Sequence, residues 1–95
     1  MKKALIDKNT TATKIESWTQ VEGTQYEANR VNLTGYGVVQ IEDEANVFEV
    51  NSTSHFWAEV PESLVNQDIY YNTANNAIEV INHTAYPVTL PFQQN

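Results

Sequence analysis

Residues 38–81 read VVQIEDEANVFEVNSTSHFWAEVPESLVNQDIYYNTANNAIEVI. Apolar runs of strand length alternate here with clusters of turn formers, which is the pattern of an all-β chain. The runs at 38–41, 47–50, 55–60, 69–71 and 77–81 are predicted strands. Residues 42–46 (EDEAN) form a polar turn, so 38–41 and 47–50 are expected to make a hairpin with Phe48 and Val50 on one face. Asn51 to Ser54 is a loop. In the next strand Phe56, Ala58 and Val60 face one way, and His55, Trp57 and Glu59 the other. Pro61 presets the backbone for a turn, and residues 62–65 have room for one helical turn. The link 72–76 (NTANN) is a hairpin loop, because asparagine tolerates a positive φ.

Residues 3–6 continue the strand pattern on the amino-terminal side, and 8–11 (KNTT) are turn-like. Residues 13–21 (TKIESWTQV) suit a pleated, half-buried surface. Strict alternation places Ile15, Ser17, Thr19 and Val21 on one face, and Lys14, Glu16, Trp18 and Gln20 on the other. Residues 22–25 are a loop, and 26–33 carry no decisive pattern. Gly35 and Gly37 flank Tyr36, which signals a bulge, a bend or a close backbone approach. No lysine and no helix follow them, so they are not a phosphate-binding loop.

The carboxyl-terminal stretch carries Pro87 and Pro91, which suit only an edge strand or an extended arm. Tyr86, Val88, Leu90 and Phe92 fall on one side of it. Apolar residues nowhere recur at helical spacing over three turns. The expected fold is all-β: a small single-domain antiparallel sandwich or partly open barrel, with at most one short helical turn. The β-domain spans residues 1–83, and an extended carboxyl-terminal arm spans 84–95.

The chain has 95 residues, no cysteine and a net charge of -7. A domain this small buries only a little over about 60% of its unfolded surface. Without disulfides, such scaffolds lean on oligomerisation. All five Lys and Arg residues lie at or before Arg30, against four acids there; residues 31–95 carry eight acids and no Lys or Arg. No basic cluster exists to meet phosphates, so nucleic-acid and anionic-membrane partners are disfavoured. Lys2 and Lys3 precede only three apolar residues before Asp7, too few for a secretory leader, so a cytoplasmic origin is expected.

No set of residues announces a reaction. Glu42, Asp43 and Glu44, with Glu49 or Asp68, lack the alternating ligands and the glycine of a calcium loop. His55 and His83 are the only histidines, and no paired spacing marks a zinc site. Ser52, Ser54 and Ser63 have no base that the sequence can place beside them. Glu59 with Asp68 is an ordinary carboxylate pair for an acidic chain. No catalytic residue, metal or cofactor is expected. Trp18, Trp57, Tyr70 and Tyr71 suit buried or interfacial positions better than sugar stacking.

Met1 to Ile6, Arg30-Val31 (or the later Val39-Gln40-Ile41), Phe48-Glu49-Val50, Phe56-Trp57-Ala58, Pro61-Glu62, Asp68-Ile69-Tyr70-Tyr71 and the aliphatic Ile78 together form a pattern that resembles small uncharacterised proteins of tailed bacteriophages, including phages of marine bacteria and cyanobacteria. The likeness covers about half of the chain. It departs at Glu59-Val60, where that pattern often has Asp-Cys, and it does not include residues after Ile81. It implies a phage origin and carries no activity with it.

The expected function is therefore a non-enzymatic virion structural protein, located in the virion and bound to other virion proteins in many copies or as a homo-oligomer. A capsid decoration protein comes first. A tail or neck accessory, a glycan-binding module using Trp57 and Tyr70, and an acidic inhibitor mimicking nucleic acid are the alternatives. The candidate interface residues are Lys2, Lys3, Trp18, Trp57, Tyr70, Tyr71, Tyr86, Val88, Leu90 and Phe92.

Overall fold

The computed structural model describes residues 1–87. The strands are β1 (Lys2–Asp7), β2 (Thr13–Val21), β3 (Gln25–Asn32), β4 (Gly35–Asp43), β5 (His55–Val60), β6 (Ile69–Asn72) and β7 (Ala77–Val80). Five of them make a curled antiparallel half-barrel in the order β5-β1-β4-β6-β7; β2 and β3 form a separate two-stranded ribbon. The protein is thus a small all-β domain. Short 3-10 turns at Glu44–Asn46 and Glu62–Leu64 are the helical elements among the described residues.

β1 is an interior strand, between β5 and β4, and its sequence is apolar on both faces. Ala4 and Ile6 are 0% exposed and Leu5 is 5% exposed. Ala4 and Ile6 join Val60, Ile69 and Ile78 in the core. Leu5 points to the opposite face, in register with Trp57 on β5 and Gln40 on β4. A continuous apolar run of this kind is what a strand covered on both sides requires.

The expected hairpin between 38–41 and 47–50 does not form. β4 and β5 both pair antiparallel to β1, so they run in the same direction. β4 ends opposite Lys2, while β5 begins opposite Asp7. Parallel strands cannot be joined by a tight turn and need a crossover. Residues 44–54 make that crossover, and residues 47–50 have no strand pairing within it. The Trp57 indole N–H donates to the Phe48 carbonyl at 2.8 Å, and the two rings meet edge to face at 5.2 Å. The apolar character of this segment serves the outer face rather than a ladder.

The ribbon is an excursion between β1 and β4. Its tip, Glu22-Gly23, has consecutive positive φ values of 47° and 82°, the signature of a tight hairpin turn. At its base the Ala12 N–H donates to Gly35 O and the Leu33 N–H donates to Ala12 O, stitching it to β4. Ile15 pairs with Arg30 but Ser17 pairs with Asn29, so Glu16 is an extra residue in β2. This bulge corrects the strict alternation. Cross-strand partners share a face, so Trp18, opposite Ala28, lies on the same face as Ile15, opposite Arg30.

Gly35 and Gly37 occupy a corner of the half-barrel. β4 pairs with β6 at Gly35 and Tyr36, then with β1 from Gly37 onward. The bulge in β4 lies further on, at Val39, between the partners of Leu5 and Ile6. The glycines instead permit close approach, of Gly35 to the Tyr71 backbone and of Gly37 to Thr10.

Candidate functional site

The half-barrel does not close. β5 and β7 are its two edges, and they converge over part of their length. Beside this seam lies an open cleft of about 420 Å³, lined by Ala58, Glu59 and Pro61 on one side and by Tyr71, Asn76, Ala77 and Ile78 on the other. Small side chains line both edges, and Ile78 provides an apolar floor. Tyr71 is held in place by Phe56, edge to face at 4.8 Å, and lies parallel to Tyr36 at 6.4 Å. The cleft offers no cluster of nucleophiles or bases. What it offers is apolar surface next to strand edges that no other described strand pairs.

The hairpin that forms the β7 side is locked by polar side chains. Asn76 takes a φ of 55°, as the asparagine-rich link predicts. The Glu79 carboxylate accepts N–H bonds from Asn72 at 3.0 Å and from Asn75, while the Tyr70 hydroxyl reaches it at 3.5 Å. Those asparagine bonds hold the Glu79 carboxyl below its ordinary value of 4.5. Burial and the neighbouring Glu79 charge push the Tyr70 phenol up.

A lowered native pKa means that the unfolded chain binds the Glu79 proton more readily. The stabilisation is present above the ordinary carboxylate value and is lost as pH falls through the native one. Glu79→Gln is therefore expected to flatten the acid limb of stability. Urea midpoints for both proteins between about pH 6 and about pH 3 measure this. Parallel curves would show that Glu79 titrates alike in both states.

A second constellation joins Asp7, Ser54 and His55. Ser54 Oγ lies 2.8 Å from His55 Nδ1, and His55 Nε2 lies 3.7 Å from Asp7 Oδ1. The types are those of a nucleophilic triad, but the geometry serves the loop. The Ser54 hydroxyl also faces the Asn51 carbonyl at 3.3 Å, an acceptor for its proton. Asp7 Oδ1 already accepts the Asn9 N–H at 2.8 Å. Among the described residues, no group of three or more His, Asp or Glu side chains gathers to hold a metal ion. No helix among them is long and apolar enough to cross a membrane.

The residues singled out from sequence are dispersed. Lys2 and Lys3 lie in β1 and pair with Asp43 at 2.7 Å and Glu59 at 3.7 Å. The Lys2 ammonium holds the Asp43 carboxyl below its ordinary range. Trp57 lies against Phe48 on the outer face. Tyr70 is 8% exposed, and Tyr71 lines the cleft. Trp18 and Tyr86 come together, with ring centroids 4.8 Å apart, and Tyr26 joins them at 5.8 Å. Val88, Leu90 and Phe92 lie outside the described residues.

His83 went unrecognised as a site residue in the sequence. The Ile15 N–H donates to its Nδ1 at 2.8 Å, and its Nε2 lies 2.5 Å from Asp68 Oδ2. The neutral ring must therefore carry its proton on Nε2, aimed at Asp68. His83 thus ties the ribbon to the start of β6. Thr84 continues the tie: its N–H donates to Ile15 O at 2.9 Å, its hydroxyl to Glu16 O at 2.7 Å, and its carbonyl accepts the Trp18 indole N–H at 3.0 Å. The bulge at Glu16 and the 83–84 segment answer each other, one exposing backbone groups that the other satisfies. No signal short of the strand pairing itself would have placed His83 beside residue 15.

His83→Ala leaves the Ile15 N–H without its acceptor, at a cost of about 1–3 kcal/mol. Hydrogen exchange is expected to quicken at Ile15 and Thr84 while the core strand β1 stays protected. Unchanged protection at both amides would contradict this role.

No family model, curated protein or solved structure matches the chain.

Proposed function

We propose that the chain is a non-enzymatic structural component of a tailed-phage particle, carried in many copies as a decoration protein on the capsid. The observation that carries this is the incompleteness of the fold. Among the described residues, a small core is enclosed by a sheet whose two edges carry no partner strand, and large apolar side chains stand at the surface. Val39 is 53% exposed, Phe48 50% and Tyr86 55%. Isolated exposed apolar residues are ordinary; together with open edges and a thin core they suit a protein that completes its burial against neighbours. A repeating particle surface supplies those neighbours, and the phage resemblance supplies the setting.

A tail or neck accessory shares this physics and differs in copy number. The glycan-binding alternative draws less support. Tyr70 is buried, and Trp57 has Phe48 against it, so the two rings do not form one open platform.

The test is add-back. Particles from a phage lacking the gene are mixed with purified protein and sedimented. Saturable co-sedimentation with capsids is expected. Failure to bind capsids or tails under conditions where the protein is folded would overturn the proposal.

A further inference from the structure

We infer that the β5–β7 seam is a receptor for the carboxyl-terminal segment of a second copy of this chain, which adds as a strand through residues 88–92. This deepens the proposed function by naming the contact between copies, and it rests on that multi-copy reading.

Among the described residues, the seam presents two strand edges without a partner and an apolar cleft of about 420 Å³ between Ala58 and Ala77. An extended peptide that enters such a site gains main-chain hydrogen bonds along an edge, and its alternate side chains fill the cleft. The sequence after Tyr86 is suited to this role. Pro87 and Pro91 lack N–H groups, and residues two apart direct their N–H groups to the same edge. In an extended 88–92 segment, the N–H groups of Val88, Leu90 and Phe92 would all serve one edge, and the prolines would fall on the other. Such a segment adds to one open edge and blocks further growth.

Charge also favours it. Residues 80–95 contain no Asp, Glu, Lys or Arg, in a chain of net charge -7. An uncharged strand can approach an acidic neighbour without like-charge repulsion.

The exit direction favours a neighbour over the chain's own seam. Thr84 bonds Ile15 and Glu16, and Tyr86 packs on Trp18 and Tyr26. The chain therefore climbs the ribbon from its base toward the Glu22-Gly23 tip, away from the point where the ribbon joins the sheet. Eight further residues reach at most about 29 Å when extended.

The test compares the full chain, a truncation lacking residues 88–95, and Ala77→Arg, by sedimentation velocity over a wide concentration range. Ala77 is exposed, so its substitution leaves the core intact. The full chain is expected to self-associate, and each variant to do so at least about tenfold more weakly. A synthetic peptide of residues 88–94, added to the truncation, should shift the amide resonances of Ala58, Ala77 and Ile78.

A full chain that stays monomeric overturns the inference, as does an oligomer that survives truncation. So does a monomeric full chain that melts well above the truncation, since the segment would then fill its own seam. Failure here is separable from failure of the functional reading. Monomers that decorate particles would sink only the inference, and self-associating protein that never binds particles would sink only the reading.

Discussion

Gly35→Ala is expected to lose about 3 kcal/mol of stability. A Cβ at Gly35 would overlap the carbonyl oxygen of Tyr71 and crowd the Tyr70 ring. Gly35 is paired with Asn72 across β4 and β6, and only Tyr36 with Tyr71 adds to that ladder. A clash with backbone cannot be relieved by changing a rotamer, so the β6–β7 hairpin must move away from β4. Gly23→Ala is the control. Gly23 has a φ of 82° but nothing within 4 Å of an added Cβ, so only conformational strain of about 1–2 kcal/mol is expected. Urea unfolding of the two variants checks the order. Equal destabilisation would show that the corner between β4 and β6 is not tight.

Ile6→Ala is expected to cost about 2–5 kcal/mol. Ile6 is fully buried in β1, an interior strand, and lies between Phe56 of β5 and Val38 of β4. It shares the core with Val60, Ile69 and Ile78 of β5, β6 and β7, so the site cannot collapse around the missing atoms without opening the core. Native domains hold only about 5–15 kcal/mol in total. The variant should therefore keep only part of its stability, with the thermal transition in circular dichroism lowered by at least about 8 °C. A cooperative transition within a few degrees of the parent would show that stability lies elsewhere.

Much of the half-barrel was legible because its signals are local. β1 announces itself as a short run apolar on both faces. β5 keeps Phe56, Ala58 and Val60 on the core side, and the asparagine-rich link closes β6 and β7 with Asn76 at positive φ. The failures have non-local causes. Residues 47–50 read as a strand because Phe48 and Val50 alternate. Whether they form one depends on β4 and β5 flanking β1 in the same direction, which no local pattern encodes.

β3 escaped notice because its sequence, QYEANRVN, is mostly polar. It is held by pairing with β2 and by the Asn29 amide, which donates to Ser17 Oγ at 3.1 Å and Thr19 Oγ1 at 2.7 Å. The bulge at Glu16 moved Trp18 to the face of Ile15, and a one-residue slip of this kind is invisible until the partner strand is known. The candidate site was legible only through Tyr71. The seam itself is made by two edges distant in sequence, and the tie through His83 depends on a backbone N–H freed in another element.

The most direct test of the proposed function is the copy number of this protein in purified particles, measured by quantitative mass spectrometry. Many copies per particle, scaling with the major capsid protein, are the expected result. A low count matching a tail or neck ring would move the protein along the particle while keeping it structural. Absence from particles, with abundance in infected cells, would contradict the structural role and favour an acidic inhibitor acting on the host.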